Sequence, residues 1–261
     1  MKIIGIIPSR FGSTRLPGKP MRLIGPMPMI EHVWRRAKAC KLLSEVVVAT
    51  DDERIKTHIE SIGGRVVLTP TELPSGTDRC AFALEKLGVN LGLNFEPNDL
   101  VVNIQGDEPF VDEGHLACLV ALFGNTKTSI GTLACAAKTL AEVNNAARPK
   151  VVVSEEGDAM YFSRQVVPYQ RDAKNGVGPV ESYLLHIGLY AYTVAALQEI
   201  VLLKPSRLEM MEQLEQLRWL EAGHKIAVGI VNHASLGVDT EEDLQRANEY
   251  YNSQLGAGGK D

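Results

Sequence analysis

The chain has 261 residues, 45% of them hydrophobic and 23% charged, with a formal net charge of −5. That length suffices for one large α/β domain with a substantial core, and the composition is ordinary for a globular protein. An acidic chain makes a poor nucleic-acid binder, so no nucleic-acid partner is expected, and any phosphate ligand must be met by cations gathered locally. Lys2 precedes an apolar run, Ile3 to Ile7, which Pro8, Ser9 and Arg10 end too early for a signal peptide. No later segment approaches the ~20 apolar residues of a membrane span, so no membrane partner is expected. Cys40, Cys80, Cys118 and Cys135 lie far apart with no C-x-x-C pair, which reads as reduced thiols in a cytoplasmic protein.

In chain order, residues 2–8 read as a buried strand, followed by a polar, Gly-containing loop up to Pro20. Ile30, Val33, Trp34 and Ala37 fall at helical spacing. Residues 45–50 are the next strand, 52–62 a helix, and 65–69 a third strand after the Gly63-Gly64 turn. Residues 77–87 look helical, 100–105 form a fourth strand, and 111–123 another helix. Such alternation predicts a doubly wound, mostly parallel α/β sheet with helices on both faces.

The second half is more elaborate. Strands are expected over 129–138, 150–154 and 159–163, then a long loop over 165–181 and a long strand over 183–193. Two helical stretches follow, around Leu197 and over 208–222, then a strand over 225–231 and a helix after Asp239. The whole reads as one domain over 1–255, with 256–261 as a disordered tail. In open α/β sheets ligands collect beyond the carboxyl ends of the strands. Those ends carry Pro8–Lys19, Thr50-Asp51, Thr69–Arg79 (with Ser75) and Gln105–Pro109, and these loops should converge on one site.

The first loop, Ser9 to Pro20, holds Arg10, Arg15 and Lys19 among small residues that include Ser13. Cations and close-approaching backbone N–H groups are what a triphosphate needs. It is neither a Walker loop nor a G-x-G-x-x-G turn, and a solvated basic loop is the bland alternative. The second motif, Gln105-Gly106-Asp107 after a buried strand, suits a magnesium carboxylate, although a strand-end Asp also serves as a turn residue. In the third, Thr240 and Asp243 form a helix-capping box, which leaves Asp239 free to supply a second carboxylate. Arg164 ends a strand where it could clamp an acceptor carboxylate. His186, in an apolar strand, and Glu215-Gln216, in an amphipathic helix, are open to plain structural readings.

Together these segments resemble the 3-deoxy-manno-octulosonate (Kdo) cytidylyltransferases, from Ile4 to about Arg246. The resemblance rests on IIPSRFGSTRLPGKP, VVVATDDERI, SGTDR, VNIQGDEP, YFSR, HIGLYAY, LEQLR and GVDTEEDL, in family order and spacing. It implies a nucleotidyltransferase fold and transfer of a cytidylyl group from CTP to the anomeric hydroxyl of Kdo. Pyrophosphate is released, in service of lipopolysaccharide biosynthesis. It further implies that Pro8, Ser9, Arg10, Ser13, Arg15, Lys19, Thr50, Asp51 and Ser75 serve the nucleotide, and that Asp107 and Asp239 hold Mg2+. Arg79, Gln105, Arg164, His186, Tyr190, Glu215 and Gln216 would line the sugar site, and the enzyme would be a homodimer. The Ile24–Met29 segment departs from the family's Gly-Lys-Pro-Met turn, Ser9 stands where Ala is common, and Arg148-Pro149 precedes its strand in an unusual way. The 8-amino analogue of Kdo or another sugar acid is therefore the alternative acceptor. A sialic-acid enzyme would carry a different first loop, and a glycosyltransferase an Asp-x-Asp after the fourth strand.

Overall fold

The computed structural model describes all residues except 14, 92–93, 125–126, 174–175 and 258–261, and the side chains of 90–91 and 255–257 are likewise left aside. The chain groups into two compact units, Met1–Glu113 with Ser235–Asp261, and Gly114–Ala234, where the sequence suggests one domain over 1–255.

The first unit begins with β1 (Ile3–Ser9), the short hairpin β2 (Leu23–Ile24) and β3 (Met27–Pro28), and α1 (Met29–Ala39). It continues with β4 (Glu45–Thr50), α2 (Glu53–Ser61), β5 (Arg65–Leu68), α3 (Gly76–Leu91) and β6 (Leu100–Asn103). The strands β1, β4 and β6 are apolar runs buried on both faces, as a parallel sheet covered by helices requires. Helix α1 turns Ile30, Val33, Trp34 and Ala37 inward at the expected spacing. Within the unit the order is β6-β1-β4-β5, all parallel. The chain moves outward from β1 to β4 and β5, then returns to the other side of β1 with β6. The direction therefore reverses between β1 and β6, and the loops leaving those two strands border a crevice.

The second unit holds most of α4 (Glu113–Ala121), then β7 (Ile130–Ala136), α5 (Leu140–Asn144), β8 (Lys150–Val153) and β9 (Ala159–Ser163). It ends with β10 (Leu184–Thr193), α6 (Val194–Ile200), α7 (Arg207–Glu212), α8 (Gln216–Glu221) and β11 (Ala227–Val231). Here β7 pairs with β11 in parallel and with β10 antiparallel, and β10 and β9 pair antiparallel with β8. The expected α/β class holds, with the antiparallel pairs found in the elaborated second half and in the small hairpin β2–β3.

The chain then returns to the first unit as α9 (Glu241–Ala257). Leu244 and Ala247 of α9 pack with Leu16, Ile24, Met29, Phe110 and Val238. The reciprocal cap expected from the sequence is present: Thr240 Oγ1 accepts from Asp243 N, and Asp243 Oδ2 accepts from the N–H groups of Asp239 and Thr240. Helix α9 reaches Ala257, so the first two residues of the expected tail are helical, and 258–261 lie outside the described residues.

The structure corrects the sequence reading at one place and adds to it at two. The stretch 208–222 is two helices, because Gln213 adopts left-handed backbone (φ 52°) and ends α7. A non-glycine residue there costs about 1–2 kcal/mol. Helix α5 was not anticipated, although Thr139 and Glu142 form a full capping box at its start. The Ile24–Met29 segment is the hairpin β2–β3, with Gly25 at positive φ and its N–H donating to Asn248 Oδ1 of α9.

Candidate active site

In the first unit, the loops after β1 and β6 and the start of α3 enclose a cavity of about 310 Å³. Its lining includes Pro8, Ser9, Arg10, Ser13, Arg15, Lys19, Ser75, Arg79, Gln105, Asp107 and Asp239. All but Asp239 lie in loops expected from the sequence at strand ends, Asp239 precedes the capped helix, and the fold gathers them. Gly18 (φ 65°) turns the chain into the short 3-10 turn Lys19–Met21, and the Lys19 side chain enters the cavity. Ser75 Oγ accepts from Asp78 N at the head of α3, a sixteen-residue helix whose positive N-terminal end opens toward the cavity. Ser9 Oγ is buried and has no hydrogen-bond partner among the described residues, a polar atom suited to a ligand.

Lys19 Nζ donates to Asp107 Oδ2 at 2.7 Å and to Asp239 Oδ1 at 3.0 Å. Arg15 adds a bridge to Asp239 at 3.1 Å. Burial opposes the Lys19 charge, but the two carboxylates outweigh it and hold the ammonium above its ordinary value. Asp239 reaches this position because Val238 N donates to the Asp107 carbonyl at 2.9 Å, tying the two segments together. Gly106 permits the turn: a Cβ there would stand 2.8 Å from the Pro8 carbonyl oxygen. Four cations (Arg10, Arg15, Lys19, Arg79) and two carboxylates (Asp107, Asp239) line the cavity. The surplus of two positive charges sits in a chain whose net charge is −5, which is the local concentration an anion needs.

Thr50 and Asp51 do not line the cavity. Thr50 is fully buried, and its Oγ1 accepts from Asp52 N. Asp51 accepts from Phe11 N at 3.1 Å and from Arg79 Nη2 at 3.4 Å, so it anchors the first loop and Arg79 together. Arg79 also donates to Thr69 Oγ1. Burial draws its guanidinium below the ordinary value; Asp51 offsets this and the nearby Arg10 charge adds to it.

The second unit carries the other expected residues. In β10, Gly188 and Leu189 loop out of register with β7 between Ile187 and Tyr190. Residues four apart on a straight strand stand about 13 Å apart; here the His186 and Tyr190 ring centroids are 5.4 Å apart. Thr132 of β7 fills the bulge, its Oγ1 within 3.1 Å of the Ile187 and Leu189 carbonyls and of His186 Nε2. Part of the His186 residue faces solvent, yet the enclosing protein pushes its pKa down to about 3, so the imidazole is neutral. Burial, with Glu215 nearby, raises the Tyr190 hydroxyl, and the Thr132 side chain offsets this in part. Glu215 and Gln216 follow the left-handed Gln213; Gln216 is buried rather than on the surface. Arg164, just past β9, donates from Nε to the Glu212 carbonyl (2.6 Å) and from its terminal nitrogens to the Ala146 and Gln213 carbonyls (3.0 Å each).

The cytidylyltransferase family model matches residues 4–226. The chain belongs to that family. A 3-deoxy-manno-octulosonate cytidylyltransferase of Bacteroides thetaiotaomicron is 44% identical over 254 residues, covering 96% of this chain and 98% of that protein. An 8-amino-3,8-dideoxy-manno-octulosonate cytidylyltransferase of a Shewanella species is 41% identical over 251 residues, covering 95% and 98%. Among solved structures, CMP:2-keto-3-deoxy-manno-octonic acid synthetase complexed with CTP has a TM-score of 0.87 and 35% identity, covering 97% of this chain and 100% of that one.

Membership in the cytidylyltransferases accords with the cavity's excess of cations and its paired aspartates. Several residues around the expected set escaped sequence reasoning. Gly12, Leu73, Pro74 and Gly76, within the expected loops but not singled out there, complete the cavity wall, and Thr132, Lys150 and Glu212 support His186 and Arg164. Only the Ser75–Asp78 capping pattern could have flagged one wall from sequence; the others are brought in by strand pairing alone. All four cysteines are free, as expected, and among the described residues no helix is long and apolar enough to cross a membrane.

Proposed function

We propose that this chain transfers a cytidylyl group from CTP to the anomeric hydroxyl of 3-deoxy-manno-octulosonate, releasing pyrophosphate. The observation that carries this reading is the full-length likeness to cytidylyltransferases named for that sugar. Arg10, Arg15 and Lys19 hold the triphosphate, helped by Ser9, Ser13 and the start of α3. Asp107 and Asp239 are the candidate holders of Mg2+: their oxygens already converge on one cationic centre, Lys19 Nζ, and hard carboxylate oxygens suit that ion. When bound, the ion supplies positive charge against the triphosphate. Its two charges and the cavity's surplus of two together oppose the roughly four negative charges of CTP.

The chain's own work is orientation and charge neutralisation. The acceptor's anomeric oxygen attacks the α-phosphorus, a new O–P bond forms as the α–β bridge breaks, and the hydroxyl proton passes to solvent. His186, with a pKa near 3, is too weak a base to take that proton at neutral pH. Arg164 anchors the acceptor carboxylate, and Arg79, Gln105, His186, Tyr190, Glu215 and Gln216 are assigned to the sugar. The same reading takes the enzyme to be a cytoplasmic homodimer. Its four free cysteines support a reducing compartment, and light scattering checks the dimer.

A second reading, transfer to the 8-amino sugar, is favoured by the 41% identical Shewanella relative. Incubation with CTP, Mg2+ and Kdo should yield one phosphodiester product by phosphorus NMR. No such product with either sugar would reject both readings.

A further inference from the structure

Arg164 is held from every side by groups distant in sequence. Its backbone N–H donates to Glu212 Oε2 at 2.9 Å, and its carbonyl accepts from Lys150 Nζ at 2.6 Å. Three of the five guanidinium N–H groups donate to carbonyls of Ala146, Glu212 and Gln213. Among the described residues the other two, one on each terminal nitrogen, have no acceptor, and a carboxylate can take a pair of guanidinium donors.

The holding groups are themselves fixed. The other Glu212 oxygen accepts from Ser163 Oγ at 2.7 Å. Lys150 is fully buried, and its ammonium also reaches the Asn145 and Arg148 carbonyls. Among the described residues, no carboxylate lies within ion-pair distance of Lys150 Nζ or of the Arg164 guanidinium. Gln213 keeps an unfavourable left-handed backbone, and its carbonyl is one of those that receives Arg164. Unfavourable backbone and a buried lysine are retained only where the surroundings demand them.

We propose that Glu212 and Lys150 are positioning residues that hold Arg164 ready for the carboxylate of the acceptor sugar. The inference rests on the assignment of Arg164 given above. Neither residue touches substrate; each acts through the Arg164 backbone. A fixed guanidinium loses little freedom when the acid binds, so positioning strengthens acceptor binding.

The sign of the effect separates positioning from simple electrostatics. Removing the Glu212 charge would by itself make the surroundings of Arg164 more positive and strengthen acid binding. Positioning requires the opposite.

The test uses the full chain, CTP and Mg2+, with Kdo and its neutral carboxamide as acceptors. Glu212→Ala should raise the KM for Kdo about tenfold, the scale of one side chain left to be immobilised on binding, while the KM for CTP stays within about twofold. Preference for the acid over the amide should shrink by the same factor, and Glu212→Gln, which can still accept from Arg164 N–H, should recover part of it. In an Arg164→Ala background the Glu212 effect should vanish. Should Glu212→Ala not fold, Ser163→Ala releases the Glu212 carboxylate more gently and should raise the same KM. If Arg164→Ala cripples acid recognition while folded Glu212→Ala leaves it unchanged or tighter, positioning is overturned and the Arg164 assignment stands. An unchanged KM for Kdo in Arg164→Ala would overturn both.

Discussion

Lys19 Nζ lies 2.7 Å from Asp107 Oδ2, so the last cation of the first loop meets the first carboxylate after the fourth parallel strand. With Asp239 3.0 Å away on its other side, Lys19 stands between two groups that would repel each other without it. One lysine thus ties three segments, drawn from the start, middle and end of the chain, to a single point.

If that point also receives Mg2+, Asp107→Asn and Asp239→Asn should each lower turnover by about two orders of magnitude, because each removes charge that orders the triphosphate. Each variant should still melt cooperatively, since the cap of α9 is made by Thr240 and Asp243. Chelation of the ion should abolish turnover in the parent enzyme, and added Mg2+ should restore it. Near-normal turnover in either Asn variant would remove that aspartate from the reaction.

The cations of the first loop should act on the nucleotide alone. Lys19→Ala or Arg15→Ala should raise the KM for CTP at least about tenfold, the scale of a lost charge-assisted phosphate contact, with little change in the KM for the sugar. Lys56, on α2 and paired with Glu53, is the control and should be silent. Equal losses at Lys19 and Lys56 would point to bulk charge instead.

Gly106 and Gly12 offer a contrast within the same cavity wall. A methyl group at Gly106 would press on the Pro8 carbonyl oxygen, whereas no described residue lies within 4 Å of a Cβ at Gly12. Gly106→Ala should cost about 1–3 kcal/mol of stability, as overpacking against backbone does, and Gly12→Ala should be close to neutral. Thermal melts of the two variants decide this, and equal melting temperatures would contradict the close approach of the loops after β1 and β6.

Acid stability should carry a signature of His186. Its folded pKa of about 3 lies below the ordinary 6.5, so below about pH 6.5 the unfolded chain binds a proton that the folded chain refuses. The contribution is therefore fully present above that pH and is lost as pH falls toward 3. His186→Gln should lose less melting temperature between pH 7 and 5 than the parent does. Parallel curves would mean that the imidazole titrates normally in the fold.

What could be read from the sequence was local. Arg10 to Lys19 and Gln105-Gly106-Asp107 each sit in one loop beside a recognisable strand, so buried apolar runs sufficed to bring them to one edge of a parallel sheet. The pairing of Asp107 with Asp239 needed the return of α9 and the Val238–Asp107 backbone bond, which no spacing announces. The break at Gln213 was hidden because glutamine is a good helix former and the amphipathic pattern runs across it. Arg164 could be noticed at a strand end, but Glu212 and Lys150 come to it through β8–β9 pairing and the turn after α7. The bulge in β10 was equally invisible, since Gly188 in an apolar strand signals no particular register.

The central claim is the transfer of cytidylyl from CTP to an acidic eight-carbon sugar, and pyrophosphate release across four acceptors tests it most directly. Kdo, its 8-amino analogue, N-acetylneuraminate and a neutral hexose would be compared at equal concentration with CTP and Mg2+. Kdo or the amino sugar should support turnover, whereas the neutral hexose leaves Arg164 without its anion, a loss of ~2–5 kcal/mol for an unpaired cation. The larger acyl group of N-acetylneuraminate should keep it out. Turnover with Kdo or its amino analogue and almost none with the other two is the expected result; turnover with N-acetylneuraminate alone would contradict the account.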